Sequence, residues 1–114
     1  MSQYAIERKF VRYALDVRAK LKAGEREITV RTLDISEGGV GLVSPVEIPE
    51  GSSYVVELEL PTAPGIFRAE VCARSKVGFR HGFIFVGVDE GSMALLRKYQ
   101  RRWGILAKDD YAKS

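Results

Sequence analysis

Apolar and polar residues alternate with a period of two along most of this chain, which is the pattern of β-strands that bury one face. Glycine, proline and charged residues interrupt the alternation and divide it into six segments. These segments predict strands over residues 11–22, 26–35, 39–44, 53–60, 66–74 and 80–88. Six short strands joined by turns are typical of an antiparallel barrel or sandwich, so the predicted fold class is all-β.

The second and sixth strands carry further information. In the second strand the apolar positions change parity after Thr32, which predicts a β-bulge or sharp twist ahead of the next loop. Phe67, Phe83 and Phe85 share the parity of the buried face and are expected to point inward. The single histidine, His81, is interpreted as a surface or edge-strand residue.

One helix is predicted at the C-terminal end of the barrel. After Ser92, which we interpret as the N-cap, apolar residues recur at spacings of three and four. Gly104 is expected to end the helix. The apolar stripe needs a buried partner, so we expect the helix to lie over an open edge or mouth of the barrel.

The chain divides into three segments within one domain of 114 residues. Residues 1–10 show no periodic pattern and are predicted to form a flexible N-terminal arm. Residues 11–107 hold the barrel and the helix, and residues 108–114 form a polar tail.

Composition narrows the class of protein. Hydrophobic residues make up 46% of the chain, which is too many for a disordered protein. No apolar run approaches the roughly 18 residues of a membrane span, and no signal peptide is present, so we expect a cytoplasmic protein. A single cysteine suits a reducing compartment. The net charge of +3 permits an anionic partner without requiring nucleic acid.

The segment Asp34-Ile35-Ser36-Glu37-Gly38-Gly39 carries the candidate chemistry. It offers a carboxylate and a hydroxyl two residues apart, so an extended backbone would point both to one side. Gly38 and Gly39 permit positive φ and leave room for a ligand to approach the backbone. Two interpretations are open, because the same residues could instead form an Asx-type turn that only stabilises the connection.

A basic arm precedes this loop, with Arg8, Lys9 and Arg12 within five residues. Arg8-x-x-x-Arg12 followed by Asp34-x-Ser36-x-x-Gly39 resembles the paired signature of PilZ domains, bacterial receptors for cyclic diguanylate (c-di-GMP). The resemblance covers nearly the whole chain. It implies a six-stranded antiparallel β-barrel with a C-terminal helix.

The resemblance also implies a site. Arg8 and Arg12 would grip guanine edges and phosphates from the arm, since the planar arginine fork matches both. Asp34, Ser36 and Gly39 would line the barrel side, and Gly38 would keep the loop free of side-chain bulk. We add Lys9 as a phosphate contact and Arg74, predicted to face outward, as a stacking platform for guanine.

The expected function is therefore c-di-GMP binding that orders the arm and relays a signal to an unidentified effector protein. Motility, biofilm formation and virulence are the usual outputs of the family. The charge of the arm favours a stacked pair of c-di-GMP molecules. No cofactor, metal or catalytic group is expected, because His81 has no cysteine or histidine companion and no nucleophile motif is present.

Two alternatives compete with this function. A barrel of the same fold could act as an adaptor through protein contacts alone. A pI of about 9.1 also suits a nucleic-acid-binding barrel. We do not expect nucleic acid as a partner, because stacking aromatics would have to lie on the outer face and most of the phenylalanines have inward parity.

Overall fold

Seven antiparallel strands and one helix make up the part of the chain that the structure describes. The structure is a computed structural model, which describes the backbone of residues 10–113 and the side chains of residues 10–102. The elements are β1 (Tyr13–Ala14), β2 (Arg18–Ala23), β3 (Arg26–Ile35), β4 (Gly39–Val43), β5 (Ser53–Leu60), β6 (Ala63–Val77), β7 (Arg80–Val88) and α1 (Glu90–Lys113).

The sheet closes into a barrel. Its strand order is β1-β3-β2-β5-β6-β7-β4, and β3 also pairs with β4. Six strands therefore form a ring, and the short β1 is an extra strand on β3. The predicted six-stranded antiparallel barrel with a C-terminal helix is confirmed.

The alternating apolar residues fill the barrel. Phe67 is fully buried and Phe83 is nearly so, while Phe85 is half-buried with its ring 5.5 Å from that of Phe67. The inward parity predicted for these phenylalanines is confirmed. Burial of each such side chain stabilises the fold by about 1.5–3 kcal/mol, so the core rather than any single polar contact holds the barrel together.

The predicted first strand, residues 11–22, is wrong as one continuous element. It is split into β1 and β2, and the buried side chain of Thr32 occupies the break. The Thr32 hydroxyl donates to the Leu15 carbonyl at 2.7 Å and accepts from the Val17 amide at 2.9 Å. The backbone groups freed by the break are thus satisfied by a side chain. The predicted bulge is confirmed as a register shift between Thr32 and Asp34.

The fifth predicted strand, residues 66–74, is too short at both ends. Strand β6 begins at Ala63, which is fully buried and pairs with Leu60, so only Pro61 and Thr62 remain to make the turn. Thr62 makes the turn with a φ of 65°. At its other end β6 continues to Val77, which pairs with Arg80 across a two-residue turn.

The helix begins three residues before the predicted position. Asp89 is the N-cap, because its side chain accepts from the Ser92 amide at 2.7 Å. The Ser92 hydroxyl instead accepts from the Arg68 amide at 2.9 Å and ties the helix to β6. The predicted end at Gly104 is also wrong, since α1 runs to Lys113 and takes in most of the predicted polar tail. A single glycine costs a helix only about 1 kcal/mol relative to alanine.

The helix lies across one mouth of the barrel, as the sequence predicts. Leu96 is fully buried in the core, and the Tyr99 hydroxyl donates to the Ala14 carbonyl at 2.7 Å. Strands β6 and β1 lie on opposite sides of the ring, so these contacts span its opening. No helix in residues 10–113 is long and apolar enough to cross a membrane.

The interpretation of His81 as a surface residue is wrong. His81 is 3% exposed, and its Nδ1 has no hydrogen-bond partner among the described residues. The side chain shares the inward parity of Phe83, 6.5 Å away between ring centroids. Burial lowers the pKa of His81, and the nearby Lys76 lowers it further, while Glu47 acts in the opposite direction.

We expect the protein to lose stability when the pH falls from 7.5 to 5.5. The pKa of His81 is lower in the folded state than its ordinary value of 6.5, so the unfolded state binds the proton more readily. The contribution of neutral His81 is therefore complete above pH 6.5 and is lost below it. Urea unfolding at several pH values measures this as a falling midpoint.

His81→Leu is the matched variant, since the chain has one histidine and the loss should be smaller without it. Glu47 and Glu57 both have lowered pKa values and titrate below this range. A wild-type midpoint that stays constant or rises between pH 7.5 and 5.5 would contradict the assignment.

Candidate functional site

The loop between β3 and β4 is held together by Ser36. The Ser36 amide donates to the Gly39 carbonyl at 2.8 Å. The Ser36 hydroxyl accepts from the amides of Gly38 at 3.0 Å and Gly39 at 3.2 Å, and the side chain is buried. The hydroxyl is therefore already engaged within the loop, which fits the turn interpretation for Ser36.

The two glycines of the loop are required by close packing. Neither has a positive φ, so the left-handed conformation that glycine permits is not used at these two positions. A Cβ on Gly39 would lie 2.1 Å from the carbonyl oxygen of Phe83 on β7, and one on Gly38 would lie 2.7 Å from the ring of Phe10. Gly39 thus permits the pairing of β4 with β7, and Gly38 leaves room for the ring of Phe10 to pack against the loop.

The two halves of the predicted motif meet in one ion pair. Arg12 Nη1 lies 3.2 Å from Asp34 Oδ1, and their side chains are 56% and 32% exposed. The bulge aligns Asp34 with Gly41, where a Cβ would lie 2.7 Å from Asp34 Oδ1. Such an exposed pair contributes only about 0–1 kcal/mol, so either partner can be exchanged for a ligand at little cost.

A shallow groove lies beside this ion pair. Its volume is about 150 Å³, below the roughly 300–1,000 Å³ of pockets that enclose a whole ligand, so a larger molecule would lie across it. The lining comes from the arm, the loop and strands β4, β6 and β7: Phe10, Arg12, Ser36, Gly38, Gly39, Val40, Arg74, Ser75, Gly82, Phe83 and Ile84.

The structure brings most of the predicted site residues to this groove. Arg12, Ser36, Gly38, Gly39 and Arg74 line it, and Asp34 reaches it through its pair with Arg12. Arg8 and Lys9 lie outside the described residues.

Sequence reasoning missed two kinds of residue. Phe10 is the apolar residue inside the basic arm, and its ring packs on Gly38. Gly41 and Gly82 are single glycines within strands, where a Cβ would meet Asp34 and Ser75 respectively. A glycine that interrupts a strand pattern signals close approach, and this signal could have found both positions.

The groove is basic and has no metal-binding character. Arg74 is exposed and makes no ion pair with any described residue, while Arg12 pairs only with Asp34 among them. Residues 10–102 contain no cluster of histidine, cysteine, aspartate or glutamate that could hold a metal ion. Two guanidinium groups at an open groove suit a planar or phosphorylated anion.

Helix α1 makes one contact near Arg12 and another with the loop between β3 and β4. Tyr99 bonds to Ala14, two residues after Arg12, through its hydroxyl. Arg97 Nη2 lies 3.6 Å from Glu37 Oε1, which is inside the loop. The helix is thus linked to both the arm and the loop.

Comparison with known proteins identifies one family and several solved structures with a similar fold. The model of the PilZ domain matches residues 6–101. The PilZ domain with c-di-GMP of YcgR from Escherichia coli has a TM-score of 0.64 at 20% identity, over 92% of this chain and 95% of that one. The Bacillus subtilis inhibitor of motility MotI/DgrA has a TM-score of 0.68 at 21% identity, over 82% of this chain.

These structural likenesses concern one domain. The chain spans half the length of MotI/DgrA and 48% of the longer YcgR chain in complex with c-di-GMP. At this level of identity they show that the fold is shared. No curated protein matches the chain.

We expect Gly39→Ala to lower the free energy of unfolding by about 1–3 kcal/mol or more, because a methyl group 2.1 Å from the Phe83 carbonyl must push β4 away from β7. Urea unfolding measures the loss. Gly38→Ala is the matched control and should change stability by no more than about 0.5 kcal/mol, since the half-exposed Phe10 ring can move aside. Equal losses in the two variants would contradict this account of the loop.

Proposed function

This chain belongs to the PilZ domain family, and from that membership we propose that it is a receptor for c-di-GMP. The observation that carries the proposal is the ion pair between Arg12 and Asp34. It joins the two halves of the family motif at the edge of a basic groove. Both YcgR structures that resemble this chain are complexes with c-di-GMP, which supports the same ligand class here.

The chemistry of the pair fits the ligand. Guanine presents O6 and N7 as acceptors on one edge, which an arginine fork such as that of Arg12 can bind bidentately. Its N1–H and N2–H groups are donors on another edge, and the Asp34 carboxylate can accept both. Because the ion pair is exposed, guanine can take over both partners with little loss of stability.

The arm completes the proposed site. Phe10 already lies against Gly38 and lines the groove. Arg8 is two residues from Phe10 in the sequence, and two residues of extended chain span about 7 Å. We propose that Arg8 and Lys9 fold onto the ligand phosphates when it binds, and that this ordering of the arm is the primary signal.

The remaining predicted residues have different proposed roles. Arg74 lines the groove together with Phe10 and Arg12, and it is proposed to offer a flat guanidinium for stacking on guanine. Ser36 and Gly39 shape the loop, and Gly38 seats the arm. With Arg8, Lys9, Arg12 and Arg74 around an open groove, the charge suits two stacked c-di-GMP molecules, which is the stoichiometry that we propose.

The C-terminal helix is the proposed route to an effector protein. It contacts the arm side through Tyr99 and the loop side through Arg97, so a ligand held between arm and loop would change both contacts. The resemblance to an inhibitor of motility supports motility as the controlled process. We propose a binding role without catalysis.

We do not propose nucleic acid as the partner of the barrel. Phe67 and Phe83, which would have to offer stacking faces, are buried in the core. The adaptor alternative shares the effector contact and differs only in needing no nucleotide, so a direct binding measurement separates the two.

Isothermal titration is expected to show heat with c-di-GMP and much less with GTP or cyclic AMP. Arg12→Ala should weaken c-di-GMP binding about ten- to a hundredfold, because a charge-assisted bidentate contact is lost. Arg8→Ala should act similarly. Equal heats with all three nucleotides would contradict the proposal.

Arg68→Ala is the matched control for this titration. Arg68 is an exposed arginine that holds Glu57 at 2.6 Å, so it resembles Arg12 in its pairing but does not line the groove. Its affinity for c-di-GMP should equal that of the wild type. A loss as large as that of Arg12→Ala would mean that net charge, and not the groove, governs binding.

The proposed relay is tested by hydrogen exchange. We expect c-di-GMP to slow amide exchange in residues 90–102 of the wild type. The double variant Arg97→Ala, Tyr99→Phe should bind c-di-GMP within about threefold of wild type yet lose most of this protection, because the contacts to Glu37 and Ala14 are removed. Lys98→Ala, on the same helix, should keep it. Full protection in the double variant would exclude the helix as the route.

A further inference from the structure

A row of outward-facing arginines and valines crosses five strands of the barrel. The register aligns Arg18 with Arg31, Arg31 with Val43, Val43 with Arg80, and Arg80 with Val77. Directly paired residues point to the same face, and the three arginines and Val77 are exposed. With strands about 4.8 Å apart, the row follows about 19 Å of the barrel wall, and Val43, Arg80 and Val77 lie at the end where β4 and β6 finish and β7 begins.

The row ends at an apolar hairpin tip. Val77 is 74% exposed and Phe79 is 70% exposed, although both are large apolar residues. Val46, in the neighbouring connection after β4, is 39% exposed. Phe79 also lines a shallow surface groove together with Arg18 and Arg31, so the aromatic ring belongs to the same surface as the arginines. We call this surface, Arg18, Arg31, Val43, Val46, Val77, Phe79 and Arg80, the tip surface.

The tip surface carries a net positive charge. Arg18 and Arg80 make no ion pair with any described residue. Arg31 pairs with Asp16 at 2.5 Å, and Lys76, next to Val77, pairs with Glu47 at 2.7 Å. Two of the four cations at the tip are thus uncompensated, and both lie beside the exposed apolar side chains.

From this arrangement we propose that the tip surface docks the domain onto an anionic lipid bilayer. Phe79 and Val77 would enter the boundary between headgroups and acyl chains, while the arginines would contact lipid phosphates. Apolar side chains at a turn flanked by cations are the combination that binds such surfaces, and each cation adds to the attraction.

The geometry favours a bilayer over a protein partner. A stable protein interface buries about 800 Å² on each side and has an apolar centre. Here only three exposed apolar side chains, Val46, Val77 and Phe79, stand near the cations, and the groove that Phe79 lines with Arg18 and Arg31 is shallow. A laterally uniform anionic surface accepts that shape without a complementary cavity.

The tip surface is separate from the proposed nucleotide groove. Gly39 at the groove pairs with Ile84, and Val43 in the row pairs with Arg80, four residues farther along both strands. That separation is about 13 Å, while Ser75 and Gly82 at the groove lie about 7 Å along the strands from Val77 and Arg80, and no residue lines both surfaces. Bilayer binding is therefore tested without c-di-GMP, and its outcome is independent of the nucleotide proposal.

The test is co-sedimentation of the protein with large vesicles. We expect binding to phosphatidylcholine vesicles that contain 30% phosphatidylglycerol, and at least tenfold weaker binding to phosphatidylcholine alone. Phe79→Ser with Val77→Ser should lower the partition coefficient at least about tenfold, since the bilayer would no longer bury two apolar side chains. Arg18→Gln and Arg80→Gln should each lower it about fivefold.

Two matched controls distinguish the tip surface from general adsorption. Val86→Ser removes an apolar side chain of similar exposure, 59%, elsewhere on β7, and Arg68→Gln removes an exposed arginine about 30 Å along β6 from the tip. Both should sediment as the wild type does, and the thermal midpoints of all variants should agree.

Three outcomes of the vesicle experiment would overturn the proposal. They are the absence of sedimentation with the anionic vesicles, sedimentation that Phe79→Ser with Val77→Ser leaves unchanged, and equal losses in the control variants. Tighter binding to soluble polyglutamate than to vesicles would also overturn it and would indicate an acidic protein as the occupant.

Discussion

The pairing of β3 with β4 closes the barrel and builds the candidate site with the same few residues. The bulge between Thr32 and Asp34 aligns Asp34 with Gly41. The tight turn fixed by Ser36 then brings the chain back so that β4 can lie against β7, at a distance that only Gly39 allows. The loop side of the candidate site is therefore built by the same contacts that close the barrel.

The one exposed element of this arrangement is electrostatic. Arg12 and Asp34 satisfy each other across the groove edge, where water already screens them. Their pairing keeps two opposite charges oriented without a large stabilisation that a ligand would have to overcome. A rigid frame with an exchangeable ion pair at its edge is well suited to a receptor, because binding reorganises few groups.

Much of the fold could be predicted from the sequence, because period-two alternation and a core of inward phenylalanines depend on local pattern alone. The errors occur where a side chain takes over a backbone role. Thr32 splits the first strand and Asp89 replaces Ser92 as the helix cap, and neither contact leaves a trace in the alternation. His81 is buried because it shares the inward parity of Phe83, which outweighs the preference of a polar side chain for the surface.

The candidate site could be predicted only in part, because some of its contacts exist only in the folded chain. Arg12, Asp34 and Arg74 were identified from their chemistry, and the structure brings them to one groove or its edge. The contacts of Ser36 with the loop and of Gly39 with Phe83 are long-range or turn-specific, and only the folded chain reveals them.

The bond from Tyr99 to Ala14 joins residues 85 positions apart. During synthesis, the segment that carries Arg12 and Ala14 leaves the ribosome long before Tyr99 has been added to the chain. The turn between β3 and β4 depends on neighbouring residues, but the hydrogen bond from Tyr99 to Ala14 cannot form until the C-terminal helix has been synthesised. The proposed binding surface is thus completed by the C-terminal helix, and a nascent chain that lacks this helix would carry Arg12 and Asp34 without the bond from Tyr99 to Ala14.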